Sequence, residues 1–146
     1  DLFPAQHQID GRFERLLSML SGNYLSIKSK KGNHDVAYLP ILRKSELYYI
    51  KGEYLASIGQ VSEAVDLLRE IRSSRGDISM DDLNTITTEM GYIEAMLTDA
   101  RKEFIGEGQS FYLFKRLNLP VFDGVQNIDF RNLYTLPVPK SEEVVF

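Results

Sequence analysis

Three carboxylates at helical spacing, Asp99, Glu103 and Glu107, are the residues of this chain whose arrangement comes nearest to chemistry. Two neighbouring acids with pKa values driven apart are what acid/base hydrolysis of a glycosidic bond requires. Steps of four along a helix also place like charges one turn apart, where they repel. The expected resolution is neutralisation by Arg101, Lys102, Lys115, Arg116 or an arginine further up the chain such as Arg43. On that reading the acids secure the fold, and no catalytic residue is assigned.

Other candidate constellations are incomplete. Asp123, Asn127 and Asp129 offer oxygen ligands, but the run Asp-Gly-Val-Gln-Asn-Ile-Asp lacks the spacing and closing glutamate of a calcium-binding loop. No metal is expected. His7 and His34 stand alone in polar segments, and Gly106-Glu-Gly-Gln lacks both the preceding strand and the Lys-Ser/Thr of a phosphate-binding loop, so no cofactor is expected either. The absence of cysteine excludes disulfides and thiolate metal sites. Aromatic rings are the remaining resource, because they stack on sugar faces as readily as they fill a core. Tyr48, Tyr92, Phe104 and Phe111 lie in or beside apolar rows and are expected inside. Tyr38, Tyr49 and Tyr112 lie off those rows or at their edges, which makes them the candidate ligand-binding residues.

The elements that would position these groups are mainly helical. In Ile41–Ile58 the bulky residues Leu47, Ile50, Tyr54 and Ile58 recur at steps of three and four, which predicts a helix buried along that row. Gly59 follows where a left-handed residue commonly ends a helix, and Ser62 with Glu63 opens another. Val61, Ala64, Val65, Leu68 and Ile71 form its stripe. The short connection predicts an antiparallel helical hairpin over residues 41–72, with Gly52 and Ala64 at its close contact. Against the roughly 34-residue tetratricopeptide pattern, Tyr48, Gly52, Leu55, Gly59, Ala64 and Leu68 fill the aromatic, small, apolar, turn-glycine, alanine and bulky positions of one repeat.

Around this hairpin the signals are more varied. Residues 1–40 read as an irregular opening segment, with a short helix over Arg12–Leu20, a strand over Asn23–Ser29 and a polar turn around Gly32. Residues 79–117 read as helices. Leu83, Ile86, Met90, Ile93, Leu97, Ala100 and Phe104 form one long seam there, which predicts either one imperfect helix or two with a break near Gly91. Residues 118–146 lose the helical period and read as a loop-rich extended tail whose apolar residues cover the helices. The expectation is one mainly α domain.

Composition narrows the function classes. The chain has 146 residues, 43% of them hydrophobic, which is sufficient for one domain with a core. A net charge of −4 without a sustained basic run argues against nucleic acid as a partner. No apolar run approaches the roughly 20 residues needed to span a bilayer, and the first residue is Asp, which suggests processing or a larger parent.

Three segments together resemble one family. Arg43-Lys-Ser-Glu46 through Gly59 to Ile71-Arg72 resembles the helical repeat of SusD/RagB proteins. Arg101-Lys-Glu103-Phe104-Ile-Gly-Glu107-Gly108-Gln109-Ser-Phe111-Tyr112-Leu-Phe-Lys115-Arg116 is similar to their charged segment ending in Glu-Gly, aromatics and a basic pair. Leu136-Pro137-Val138-Pro139-Lys-Ser141-Glu142 is similar to their closing Leu-Pro-Ile-Pro-x-Ser-Glu. The resemblance is to the C-terminal portion of such proteins. It implies a surface-exposed lipoprotein of the outer membrane that captures oligosaccharides, or sometimes peptides, for a SusC-like TonB-dependent transporter, without catalysis. A generic helical-repeat module for protein interaction is the alternative. The resemblance carries no binding residue over to a position in this chain.

Overall fold

A computed structural model describes residues 10–21, 23–26, 42–77, 80–122 and 126–129, and these residues are mainly helical. Contacts divide the chain into two compact units, Asp1–Glu107 and Gly108–Phe146.

The first unit opens with α1 (Gly11–Leu16), capped by the Asp10 carboxylate, which accepts the Arg12 N–H. The expected helix over Arg12–Leu20 stops early. Leu17–Leu20 is instead β1, paired antiparallel with β2 (Asn23–Ser26) from Leu17 opposite Ser26 to Leu20 opposite Asn23. Ser21 turns the chain with φ of 51°, and the ladder this permits takes up backbone groups that a further helical turn would have used.

The hairpin of α2 (Lys44–Ser57) and α3 (Val61–Arg75) forms as the periodicity predicts, with α2 also lying against a later helix, α4 (Glu89–Glu103). Its stops follow from backbone chemistry. Gly59 has φ of +85°, and the Gly59 and Gln60 N–H groups reach back to the carbonyls of Ala56 and Leu55. Gly76, at φ of +80°, and Asp77 repeat this closure on Ser73 and Arg72. Both satisfy carbonyls that the helix end would otherwise orphan.

The face that α2 buries is not the expected one. Leu47, Ile50, Tyr54 and Ile58 are 52–62% exposed, whereas Ser45, Tyr49, Gly52 and Ala56 point inward. Close approach to two helices explains the reversal, because small residues let the axes come together while bulky ones would hold them apart. Gly52 shows this directly. A Cβ there would stand 1.9 Å from the Tyr92 hydroxyl, so its tight neighbour is α4 and not Ala64 of α3. Ala64 is itself fully buried, with Val65, Leu68 and Ile71 on the predicted stripe.

The seam of residues 83–104 is interrupted before Gly91, not at it. A 3₁₀ turn (Asp81–Thr85) buries Leu83, the chain then extends at Ile86, and α4 begins after Thr88. Thr88 is the reason. Its hydroxyl accepts the Gly91 N–H and supplies an N-cap, which places Gly91 in the first turn and leaves Met90 59% exposed. Ile93, Leu97, Ala100 and Phe104 are buried as expected, with Tyr92 and Met96 fully enclosed beside them.

The second unit contains α5 (Gln109–Leu117) and a small antiparallel pair, β3 (Val121–Phe122) with β4 (Asn127–Ile128). Asn118, at φ of 53°, ends α5 by the same closure, its N–H and that of Leu119 reaching Lys115 and Phe114. Phe114 is buried. Phe111 was expected in the core but is 48% exposed, edge-on to the Tyr112 ring at 5.5 Å. The closing Leu136–Glu142 motif lies outside the described residues.

Candidate functional site

The acids singled out by spacing converge on a buried ionic junction in the first unit. Asp99 and Glu103 occupy successive turns of α4's inward face, beside the end of α3 and the Asp10 cap of α1. Arg12 Nη2 donates to Asp99 Oδ1 at 2.7 Å, while Nε and Nη2 grip the two Asp10 oxygens at 2.9 and 2.8 Å. The Tyr49 hydroxyl donates to the other Asp99 oxygen at 3.2 Å, and Lys102 Nζ reaches Asp10 at the same distance. Gly11 makes this docking possible, since a Cβ there would meet the Arg75 carbonyl oxygen at 2.6 Å.

Glu103 is held from the other side. Arg75 donates to it from Nη2 and Nε at 2.6 and 3.0 Å, and Ser45 Oγ donates at 3.2 Å. Arg43 binds Glu107 through two nitrogens and passes 3.8 Å from Glu103. The charges balance. Asp10, Asp77, Asp99 and Glu103 are buried with Arg12, Arg72 and Lys102, and partly exposed Arg75 supplies the fourth cation. Compensation of this kind is what makes buried charge tolerable.

The electrostatics run against acid/base chemistry. Burial pushes the Glu103 carboxyl up, but the Arg75 hydrogen bonds and charge, with Arg12 and Ser45, bring it below the usual range. Asp10 behaves likewise, burial being outweighed by its Arg12 partner. A general acid must keep its proton near neutrality, and these two groups are moved the other way. Burial first, and then the Asp99 and Glu103 charges, raise the Tyr49 hydroxyl well above its ordinary value.

Of the cations nominated from sequence, Arg43 reaches both Glu103 and Glu107, and Lys102 serves Asp10. Arg12, Arg72, Arg75, Asp10 and Asp77 were not foreseen. Arg72 carried a signal, because it follows Leu68 by one turn on α3's inward stripe, where a charge demands a partner. Arg72 Nη1 donates to Asp82 at 2.8 Å, and its Nε lies 3.6 Å from Asp99.

The candidate ligand-binding tyrosines separate. Tyr49 is 3% exposed, with its ring edge-on to Phe104 at 6.0 Å, so its face is not presented to a ligand. The reason is the reversed face of α2. Tyr112 is 70% exposed on α5, and Tyr38 lies outside the described residues. Tyr48, expected in the core, is only half-buried and donates its hydroxyl to Glu70 at 2.6 Å.

The described residues of the first unit include two clefts. One, of about 210 Å³, lies between the first turn of α2 and the last turn of α3 and is lined by Lys44, Tyr48, Glu70, Ile71, Ser74 and Arg75. The other, of about 350 Å³, is walled by Thr85, Thr87, Thr88 and Thr98 with Asp82 and Glu94. Among the described residues no group of three or more His, Cys, Asp or Glu side chains is placed to hold a metal ion.

Residues 15–136 match the family model described as the SusD family. No curated protein and no solved structure matches the chain.

Proposed function

The chain belongs to the SusD family, and from that premise we propose that it serves a nutrient-binding lipoprotein at the outer membrane, capturing oligosaccharides for a TonB-dependent transporter without catalysis. The observation that carries this reading is the family match across residues 15–136, because members of that family are binding proteins and not enzymes. Two features support it. The acids that might have suggested hydrolysis are engaged in ion pairs, with Asp10 and Glu103 held in their charged forms. Among the described residues, no helix is long and apolar enough to cross a membrane. Tyr112, exposed on α5, and Tyr38 are the proposed sugar-stacking residues.

The test is co-purification from detergent-solubilised outer membranes of the producing bacterium. A TonB-dependent transporter should accompany the protein, and deletion of the gene should slow uptake of one glycan. Glycan turnover by the purified protein, or uptake untouched by deletion, would count against the proposal.

A second reading, a helical-repeat module that binds proteins or peptides, draws on the exposed apolar row Leu47, Ile50, Tyr54 and Ile58. Contiguous apolar surface of that kind commonly marks an interaction site. Recovery of a soluble protein partner in place of the transporter would favour it.

A further inference from the structure

The cleft between α2 and α3 borders the ionic junction through Ser45 and Arg75, and the chemistry of its wall is specific enough to name an occupant. We propose that it is a subsite for one pyranose ring of a neutral oligosaccharide, an assignment that rests on the glycan-capture reading above.

Size sets the first limit. About 210 Å³ is below the roughly 300 Å³ at which drug-sized pockets begin, so the cleft has room for a single ring and not for a chain of them. Charge sets the second. Lys44 Nζ lies 3.8 Å from Glu70 Oε1, and Arg75 is held by Glu103, so each cation in the wall has its own acid. A compensated wall gives an ionic ligand no net attraction to offset its lost hydration. It does offer a neutral polyol both donors and acceptors.

Those groups also contact one another. Glu70 Oε1 accepts from the Tyr48 hydroxyl at 2.6 Å and faces the Lys44 ammonium, which also sits 5.0 Å from the centre of the Tyr48 ring. This fixes the carboxylate while Oε2 remains available to accept from a sugar hydroxyl. Lys44 can donate to a ring or hydroxyl oxygen, and Ser74, whose proton goes to the Ile71 carbonyl at 2.7 Å, presents its oxygen as an acceptor. Ile71 and the Tyr48 ring supply the apolar surface that the C–H face of a pyranose requires.

The experiment is an NMR titration of the ¹⁵N-labelled full chain with methyl α-glucopyranoside, methyl β-galactopyranoside and methyl N-acetyl-β-glucosaminide, with glycylglycine as a fourth probe. At least one glycoside should shift the amides of Lys44, Ser45, Glu70 and Ser74 saturably, with Kd in the millimolar range. Glu70→Gln should weaken that binding about tenfold, since it removes a charged acceptor. Ser74→Trp should abolish it by filling the space, with the melting temperature checked for both variants. Glycoside shifts confined to other residues overturn the subsite while leaving glycan capture standing. Shifts at these amides with glycylglycine alone overturn the sugar assignment and make the cleft a peptide site. No shift with any probe overturns the subsite, and glycan capture is then decided by the transporter co-purification.

Discussion

The two halves of α4 solve the same packing problem with opposite chemistry. Its first half meets the hairpin through Tyr92, Ile93, Met96 and Leu97, all buried and apolar but for one hydroxyl. Its second half presents Asp99 and Glu103 to cations from α1 and α3, and Lys102 to the Asp10 carboxylate, all three equally buried. The apolar half is stabilised by area removed from water and by close packing, which is insensitive to which well-fitting residue supplies it. The ionic half depends on partners, because each charge is costly until another meets it at hydrogen-bonding distance. One interface should therefore be tolerant and graded, the other specific and abrupt.

The largest break in that comparison should come from Arg12→Met, which leaves Asp10 and Asp99 buried without their main partner. Removing one member of a buried pair typically costs about 3–5 kcal/mol. Chemical unfolding of the variant measures it, and a loss under about 1 kcal/mol would show that the ionic half does not hold the unit together. In the apolar half, Met96→Ala should cost about 2–5 kcal/mol, because the residue is fully enclosed. Met96→Leu should cost under about 1.5 kcal/mol, and equal losses for the two variants would contradict the tolerance assigned to this half.

Gly52 tests packing where α2 crosses the apolar half. Gly52→Leu should destabilise by about 1–3 kcal/mol through overpacking against Tyr92. Combining Gly52→Ala with Tyr92→Phe should recover part of the loss caused by Gly52→Ala alone, since the clashing atom is the hydroxyl. Additive losses would place the strain elsewhere.

Acid should separate the halves without mutation. Asp10 and Glu103 have native pKa values below their ordinary 3.8 and 4.5, burial being outweighed by Arg12 for the first and by Arg75, Arg12 and Ser45 for the second. The stability such groups confer is fully present above the unfolded pKa and is lost as pH falls through the folded one. The melting temperature should hold down to about pH 5 and decline through pH 4 and below. Arg12→Met should flatten the decline, and a wild-type profile level to about pH 3 would deny the linkage. The smallest effect is reserved for the outer row of α2. Ile50→Ser should move stability within about 0.5 kcal/mol in the isolated chain, since the residue is 56% exposed. A loss above about 1 kcal/mol would mean that the row is covered.

These regions also mark what could be read from sequence. The α3 stripe and the end of α2 at Gly59 were legible, because a single period and a single left-handed glycine carry the information locally. The face of α2 was not. Hydropathy finds the row with most apolar surface, whereas burial went to the row that permits closest approach, and Gly52 matters only through Tyr92, forty residues away. Neutralisation of Asp99, Glu103 and Glu107 was expected from like-charge spacing, and Arg43 was among the partners foreseen. Arg12 and Asp10 were out of reach, because they meet α4 from 87 or more residues away and nothing local in their segment announces it. The burial of Tyr49 was out of reach for the same reason as the α2 face.

The enclosed Tyr92 hydroxyl has one more consequence. It makes no hydrogen bond among the described residues, and burial, then the charges of Glu53 and Asp99, raise its pKa. The chain has eight tyrosines and no tryptophan, so its near-ultraviolet absorbance reports tyrosine without a competing indole. In an alkaline titration Tyr49 and Tyr92 stay neutral for as long as α2 and α4 remain in contact. Above about pH 10 the unfolded chain releases protons that the native one keeps, so the fold is progressively disfavoured there. Those two silent chromophores form a built-in optical gauge of the α2–α4 contact.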